Sequence, residues 1–319
     1  MKKTGLLLVL CAALGASGQQ NAASSSDQSA GNAPIVTATS FPFERIQTPT
    51  NADLYCAGFI SEHAMPNANY VAGGLHTPIA SKFENGDMIY LAGSGYQNGQ
   101  QYSILRELRD PNEEELFKGQ TRLLKMMGQP YSELGRVRIV DTRSKMAIAQ
   151  VEFSCDTLVA GDIAVPYADK TPISFHPPVR FDRYLPANGK TSGRIVMAKD
   201  FDSEIGTGAK VYINMGANQG VKVGDYYRAV RSYEADLHDP VDSLSFKASE
   251  SEDSQRNQPA FEPNFFTRTK GPAIHVADMP RRAVGEVVIL STTPTTSTAM
   301  IVFSLEDVHV GDNVELDEQ

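Results

Sequence analysis

The sequence predicts a mainly β protein: two tandem small β-barrel-like domains derived from an internal duplication, with one short helix in the first. Three observations predict it. Residues 134–164 align without a gap on residues 284–314. The chain is a succession of short, often alternating segments rich in β-branched and aromatic residues. Many of these segments are bounded by Gly-Asp or Asn-Gly pairs, the composition of tight turns.

The repeat keeps a constant offset of 150 and has nine identities: Gly135/Gly285, Val137/Val287, Ile139/Ile289, Thr142/Thr292, Ala149/Ala299, Phe153/Phe303, Ser154/Ser304, Gly161/Gly311 and Asp162/Asp312. It extends upstream with small indels. The block Asp87 to Leu91 matches Ala209 to Ile213, Gly99 to Arg106 matches Gly224 to Arg231, and Ala57 to Ile60 aligns with Ser192 to Ile195. Order and approximate spacing persist over more than 100 residues, which duplication explains better than chance.

Taken from the start, Lys2, Lys3 and the apolar run Gly5 to Leu14, followed by Ala16, Ser17 and Gly18, read as a secretory signal peptide, residues 1–18, cleaved after Gly18. The lipoprotein alternative fits poorly, because Leu10 rather than a small residue precedes Cys11. Residues 19–49 are a polar tether too poor in apolar groups to fold. The first domain is placed at 50–168, a proline-punctuated linker at 169–191 and the second domain at 192–317, with a polar, acidic insertion at 233–281.

Strands are expected at Met88–Leu91, Tyr102–Leu105, Arg136–Val140 and Ala147–Phe153. The pairs Gly86-Asp87, Gly161-Asp162, Gly224-Asp225 and Gly311-Asp312 read as structural turns, glycine supplying positive φ and aspartate capping backbone amides. A helix is expected from Asp110 as N-cap and Pro111 at the first position, with Leu116, Leu123, Leu124 and Met127 on one face and Gly128 as the stop. Gln120 interrupts that face, and Gly119 is a weak helix former.

With the leader removed, Cys56 and Cys155 remain, and one intradomain disulfide and two buried thiols are equal alternatives. The net charge of −9 provides no footprint for a phosphate backbone, so nucleic acid is not expected as a partner. No second apolar run reaches the ~18 residues of a membrane span.

Chemistry is hard to find. The histidines at 63, 76, 176, 238, 275 and 309 include no HExxH pair, there is no CxxC, and Gly93-Ser94-Gly95 is not a nucleophile elbow. Gly216, Gly220 and Gly224 form a stripe at intervals of four but sit among polar residues, as turns do. No catalytic residue, metal ligand or cofactor is therefore expected. Acid pairs that meet only in space stay open.

The stretch Val211 to Arg231, with Gly285 to Ile289 and Val310 to Val314, resembles the C-terminal domain of the flagellar assembly protein T family. It is also similar to domains that follow LysM peptidoglycan-binding modules in some bacterial envelope proteins, and one rod-shape-determining protein has a comparable stretch. No LysM module is recognisable in this chain. The resemblance implies small β-barrels in a periplasmic scaffold and carries over no catalytic residue. The expected function is a non-enzymatic, exported cell-envelope scaffold or interaction protein, with an envelope protein or cell-wall polymer as partner and homo-oligomerisation left open. Binding of peptidoglycan or another polysaccharide is the alternative, with Tyr96 and Tyr226 as candidate stacking residues, and a hydrolase is the third reading.

Overall fold

The structure is a computed structural model that describes residues 46–75, 82–110, 115–174, 181–184, 186–232 and 281–317. The expected signal peptide, the tether up to residue 45 and the insertion apart from Arg281 lie outside the described residues.

The chain begins with a short helix, α1 (Asn51–Tyr55), and strand β1 (Phe59–Ser61). The first barrel follows: β2 (Tyr70–Gly74), β3 (Met88–Ala92), β4 (Gln101–Glu107), helix α2 (Gln120–Met127), β5 (Gln129–Asp141), β6 (Ala147–Ser154) and β7 (Ile163–Pro166). Its six strands close in the antiparallel order β5-β4-β7-β2-β3-β6, with β6 pairing back to β5 and β1 added outside the ring on β5. The second barrel uses β8 (Ser192–Ala198), β10 (Lys210–Ile213), β11 (Tyr226–Arg231), β12 (Arg282–Thr292), β13 (Ser297–Ser304) and β15 (Asn313–Leu316), closed in the order β10-β13-β12-β11-β15-β8. Between these, β9 (Glu204–Ile205) and β14 (Val308–His309) make a separate two-stranded ribbon.

The two rings are one topology. Every neighbour pair in the first has its counterpart in the second, and the registers correspond residue for residue. Ile89 faces Ala149 as Val211 faces Ala299, and Tyr102 faces Val137 as Tyr227 faces Val287. Even the register shifts recur, after Arg136 and after Glu286 on the long strands. At the first of these bulges the backbones of β5 and β6 approach so closely that a Cβ on Gly135 would lie 2.3 Å from the Phe153 carbonyl oxygen. A Cβ on Gly285 would lie 2.6 Å from that of Phe303. The identity Gly135/Gly285 therefore marks a place where no side chain fits.

One part of the upstream alignment is corrected. The strand equivalent to β8 is β2, since Val71 faces Leu91 as Ile195 faces Ile213. Ala57 to Ile60, aligned with Ser192 to Ile195 from the sequence, instead leads into β1, which pairs with the extension of β5 beyond the ring. A four-residue Gly-containing match has too little information to tell two such strands apart.

The helix also differs. Asp110 does not cap it; α2 starts after Gly119, whose φ of +86° breaks any helix coming from Leu116. Glu115 accepts hydrogen bonds from the Gly119 and Thr121 amides at 3.3 and 3.1 Å and so supplies the missing cap. Gln120, an interruption in the apolar pattern, is buried because its carboxamide accepts from the Leu116 amide and donates to the Val196 carbonyl at 2.8 Å. Phe117 and Met127 enter the core of the second barrel, so this excursion of the first copy closes over the second.

The segment 50–61 joins the copies. Thr50 and Asp53 form a capping box on α1, and Asp53 also pairs with Lys210 of β10 at 2.6 Å. Burial alone would raise the Asp53 pKa, but bonds from Lys210 and Thr50 outweigh it and hold the carboxyl below its usual value. Leu54 and Ala57 pack on the outer wall of the second barrel against Val288, Leu290, Met300 and Val302. The carbonyls of Ala57, Gly58 and Ile60 accept from Tyr212, Thr298 and Thr296 at 3.2, 2.9 and 3.1 Å. The same segment is bound to the first barrel by β1 and by a disulfide between Cys56 and Cys155, Cα atoms 5.8 Å apart.

Candidate functional site

The four Gly-Asp turns share one chemistry. The carboxylates of Asp87, Asp162, Asp225 and Asp312 each accept from the amide three residues earlier, at 2.9, 2.7, 2.8 and 2.8 Å. Gly86, Gly161, Gly224 and Gly311 have φ of +89°, +97°, +90° and +115°. Two of the aspartates do more. Asp162 takes a bidentate fork from Arg106, 2.8 Å at each oxygen, and Asp312 takes the same fork from Arg231 at 3.0 and 2.8 Å. In each copy the arginine also donates to a backbone carbonyl, of Thr157 or Asp307. These arginines were not singled out from the sequence, although both close the matched blocks Gly99 to Arg106 and Gly224 to Arg231.

Of the tyrosines considered for sugar stacking, Tyr226 is 5% exposed in the outer core of the second barrel. Tyr96 packs edge-on against Tyr102 and donates to the Ala92 carbonyl. The buried Tyr226 offers no ring face to a ligand. Among the described residues no group of three or more His, Cys, Asp or Glu side chains is placed to hold a metal ion.

A concave feature of the surface lies elsewhere, on the outer wall of the first barrel. A cavity of about 530 Å³ opens between α1, the outward residues of β4, β5 and β6, and the chain leaving β7. Its floor is the bulge: Ser103, Gly135, Arg136, Glu152 and Phe153. Its sides are Tyr55 from α1 and Tyr167, Asp169 and Lys170 from the segment after β7. The bulge puts Glu152 and Phe153 on the same outward side, next to the Gly135 position where no side chain intervenes.

The polar groups are tightly organised. Arg136 donates from Nη1 to the Tyr167 hydroxyl at 3.1 Å, while its Nε lies 3.3 Å from Glu152. Glu152 also accepts from Gln101 at 2.5 Å and from Arg138. Burial pushes Glu152 upward, yet these donors prevail and keep it below the usual glutamate value. Lys170 is held by both oxygens of Glu133 at 2.7 and 2.6 Å and by the Leu54 carbonyl at 2.8 Å. The rings of Tyr55 and Tyr167 lie 5.6 Å apart at a tilt of 34°. Burial raises the Tyr167 pKa, and its contacts with the Tyr55 hydroxyl and Asp169 add to that. The cavity thus combines the rings of Tyr55, Phe153 and Tyr167 with polar groups in which Arg136 and Lys170 are balanced by Glu152 and Asp169.

Of the lining residues, Gly135 and Phe153 stood out in the sequence, as repeat identities. Compared with known proteins, the chain matches no family model and no curated sequence.

Proposed function

We propose that this protein is a non-enzymatic scaffold of the cell envelope, exported by its N-terminal signal and acting by binding. The observation that carries the reading is the segment 50–61, which is hydrogen-bonded and packed to the second barrel while strand pairing and a disulfide tie it to the first. Two barrels held in this way present their loops and walls in a constant relative geometry, which a scaffold needs and a pair of flexibly tethered domains lacks. A disulfide closing a long loop also suits an oxidising compartment.

The chemistry of the cavity argues against a hydrolase. A general acid for glycoside cleavage needs a carboxyl held protonated near neutral pH. Glu152, in the cavity, is driven the other way by hydrogen bonds from Arg138 and Gln101 and by the nearby charge of Arg136. The aspartates of the turns are spent on backbone amides and arginines.

Crosslinking with mass spectrometry in intact cells tests this. Reproducible crosslinks from the barrel surfaces to another envelope component, or between two copies, are the expected result. A chain that crosslinks to nothing and purifies as a monomer would refute the scaffold reading.

A further inference from the structure

The geometry points to the cavity on the first barrel as a saccharide-binding site, taking one or two pyranose rings that are neutral or carry a single carboxylate. This deepens the binding function proposed above and rests on it only for the compartment.

The duplication supplies an internal reference. Registers make Ser103 the counterpart of Arg228, Arg136 that of Glu286, Phe153 that of Phe303 and Tyr167 that of Asp317. In the second barrel this corner is solid. Arg228 spans it to reach Asp317 at 2.7 Å, Glu286 is fully buried, and the chain's own Phe181 packs edge-on over Phe303 with centroids 4.8 Å apart. In the first barrel the β4 position holds only the hydroxymethyl of Ser103, the guanidinium comes instead from Arg136 on β5 and reaches Tyr167, and Phe153 is left lining an opening. The same backbone thus carries a filled site in one copy and an open one in the other, and the opening follows from particular side chains.

The chemistry of the lining selects the occupant. A cavity of about 530 Å³ far exceeds one aromatic side chain and matches a disaccharide-sized ligand. Tyr55, Tyr167 and Phe153 offer flat apolar faces of the kind that cover the C–H face of a pyranose, and the two tyrosines keep a polar edge. Around them stand Asn51, Ser103, Arg136 and Asp169, donors and acceptors suited to ring hydroxyls. Among the described residues Ser103 Oγ, the Asn51 carboxamide and Nη2 of Arg136 make no hydrogen bond, so these groups are available to a ligand. Glu152 and Asp169 balance Arg136 and Lys170, which disfavours a polyanion and leaves room for one carboxylate at Nη2.

Ligand-observed saturation-transfer NMR on the purified protein tests this, with chitotriose, a cello-oligosaccharide and the N-acetylglucosamine–N-acetylmuramic acid disaccharide as probes. The expected result is transfer to the C–H protons of at least one sugar, with affinity reduced at least tenfold by Ser103→Arg, which installs the side chain found in the other copy. Tyr167→Ala should reduce it similarly, and Glu286→Gln, in the second barrel, should leave it unchanged. Preference for the muramic disaccharide that vanishes in Arg136→Gln would assign the carboxylate to that guanidinium. The inference is overturned if none of the sugars receives transfer, if transfer survives both pocket substitutions in folded protein, or if a phenylalanine-containing tetrapeptide binds the cavity where sugars do not. Crosslinking to an envelope partner would stand through any of these failures, so the two readings separate.

Discussion

The inner and outer faces of the two barrels follow different rules. Inside, the copies agree: Val137 and Val287, Ile139 and Ile289, Ala149 and Ala299, Val151 and Ile301 fill the same places and are all buried. Outside, on the same two strands, they diverge, although Phe153 and Phe303 stay identical. Arg138, Gln150 and Glu152 of the first copy stand opposite Val288, Met300 and Val302 of the second. The first set faces solvent or the cavity, whereas the second lies under segment 50–61 and is at most 1% exposed. The interior pattern specifies a six-stranded ring, and the exterior pattern specifies what packs on it. After duplication the interior had to stay, since every inward residue touches its neighbours across the barrel, while each exterior was free to change.

The sharpest test of that contrast transplants one exterior residue. Val288→Arg puts the first copy's residue where the second is buried, with no acid placed to receive it. The expected cost is about 4 kcal/mol or more, read as loss of a cooperative melt by circular dichroism.

The duplicated fork gives the next effect. Arg231 and Asp312 have side chains only 6% and 4% exposed, against 34% and 2% for Arg106 and Asp162. Removing one partner strands a buried charge, so Arg231→Ala should destabilise by about 3–5 kcal/mol in urea unfolding. Arg106→Ala, with solvent able to reach the site, should cost about 1–2 kcal/mol. Equal costs would show that the two copies are not distinguished by burial.

A pH dependence separates the two corners further. Burial, and then the neighbouring Asp317, push the Glu286 carboxyl up to about 8 from an ordinary value of 4.5, with Arg228 opposing. The folded protein holds this proton more tightly than the unfolded chain. Its contribution to stability is therefore complete below pH 4.5 and is lost as the pH rises from there through about 8. Glu286→Gln should flatten the melting temperature across that window. An unchanged slope would place the titrating group elsewhere. Arg136, at the same position in the first copy, has no such carboxyl. The smallest effect is expected from Arg138→Val, the reverse of the first exchange, at under about 0.5 kcal/mol on the solvated wall.

How much was legible follows from the range of the interactions. The repeat, the strand periodicity and the Gly-Asp turns are local: period-two burial, positive φ and an aspartate capping an amide three residues back all operate within a few residues. The forks of Arg106 and Arg231 could have been read as well, since the matched blocks preserve the arginines. The helix start was misplaced because a single left-handed glycine outweighed a favourable N-terminal composition. The cavity was not legible at all. It assembles Tyr55, Ser103, Arg136, Glu152 and Tyr167 from five segments, and no spacing along the chain records that they meet.

By itself the sequence determined the doubling: two copies of one small β-barrel-like unit, because alternation and turn chemistry are written locally and were written twice. Only the tertiary structure decided that the segment ahead of the first barrel wedges against the second, that the Cys56–Cys155 bridge secures it, and that one copy keeps an open corner where the other is filled. Those outcomes depend on which surfaces of distant segments are mutually complementary, a property of the assembled fold that no short window of residues encodes.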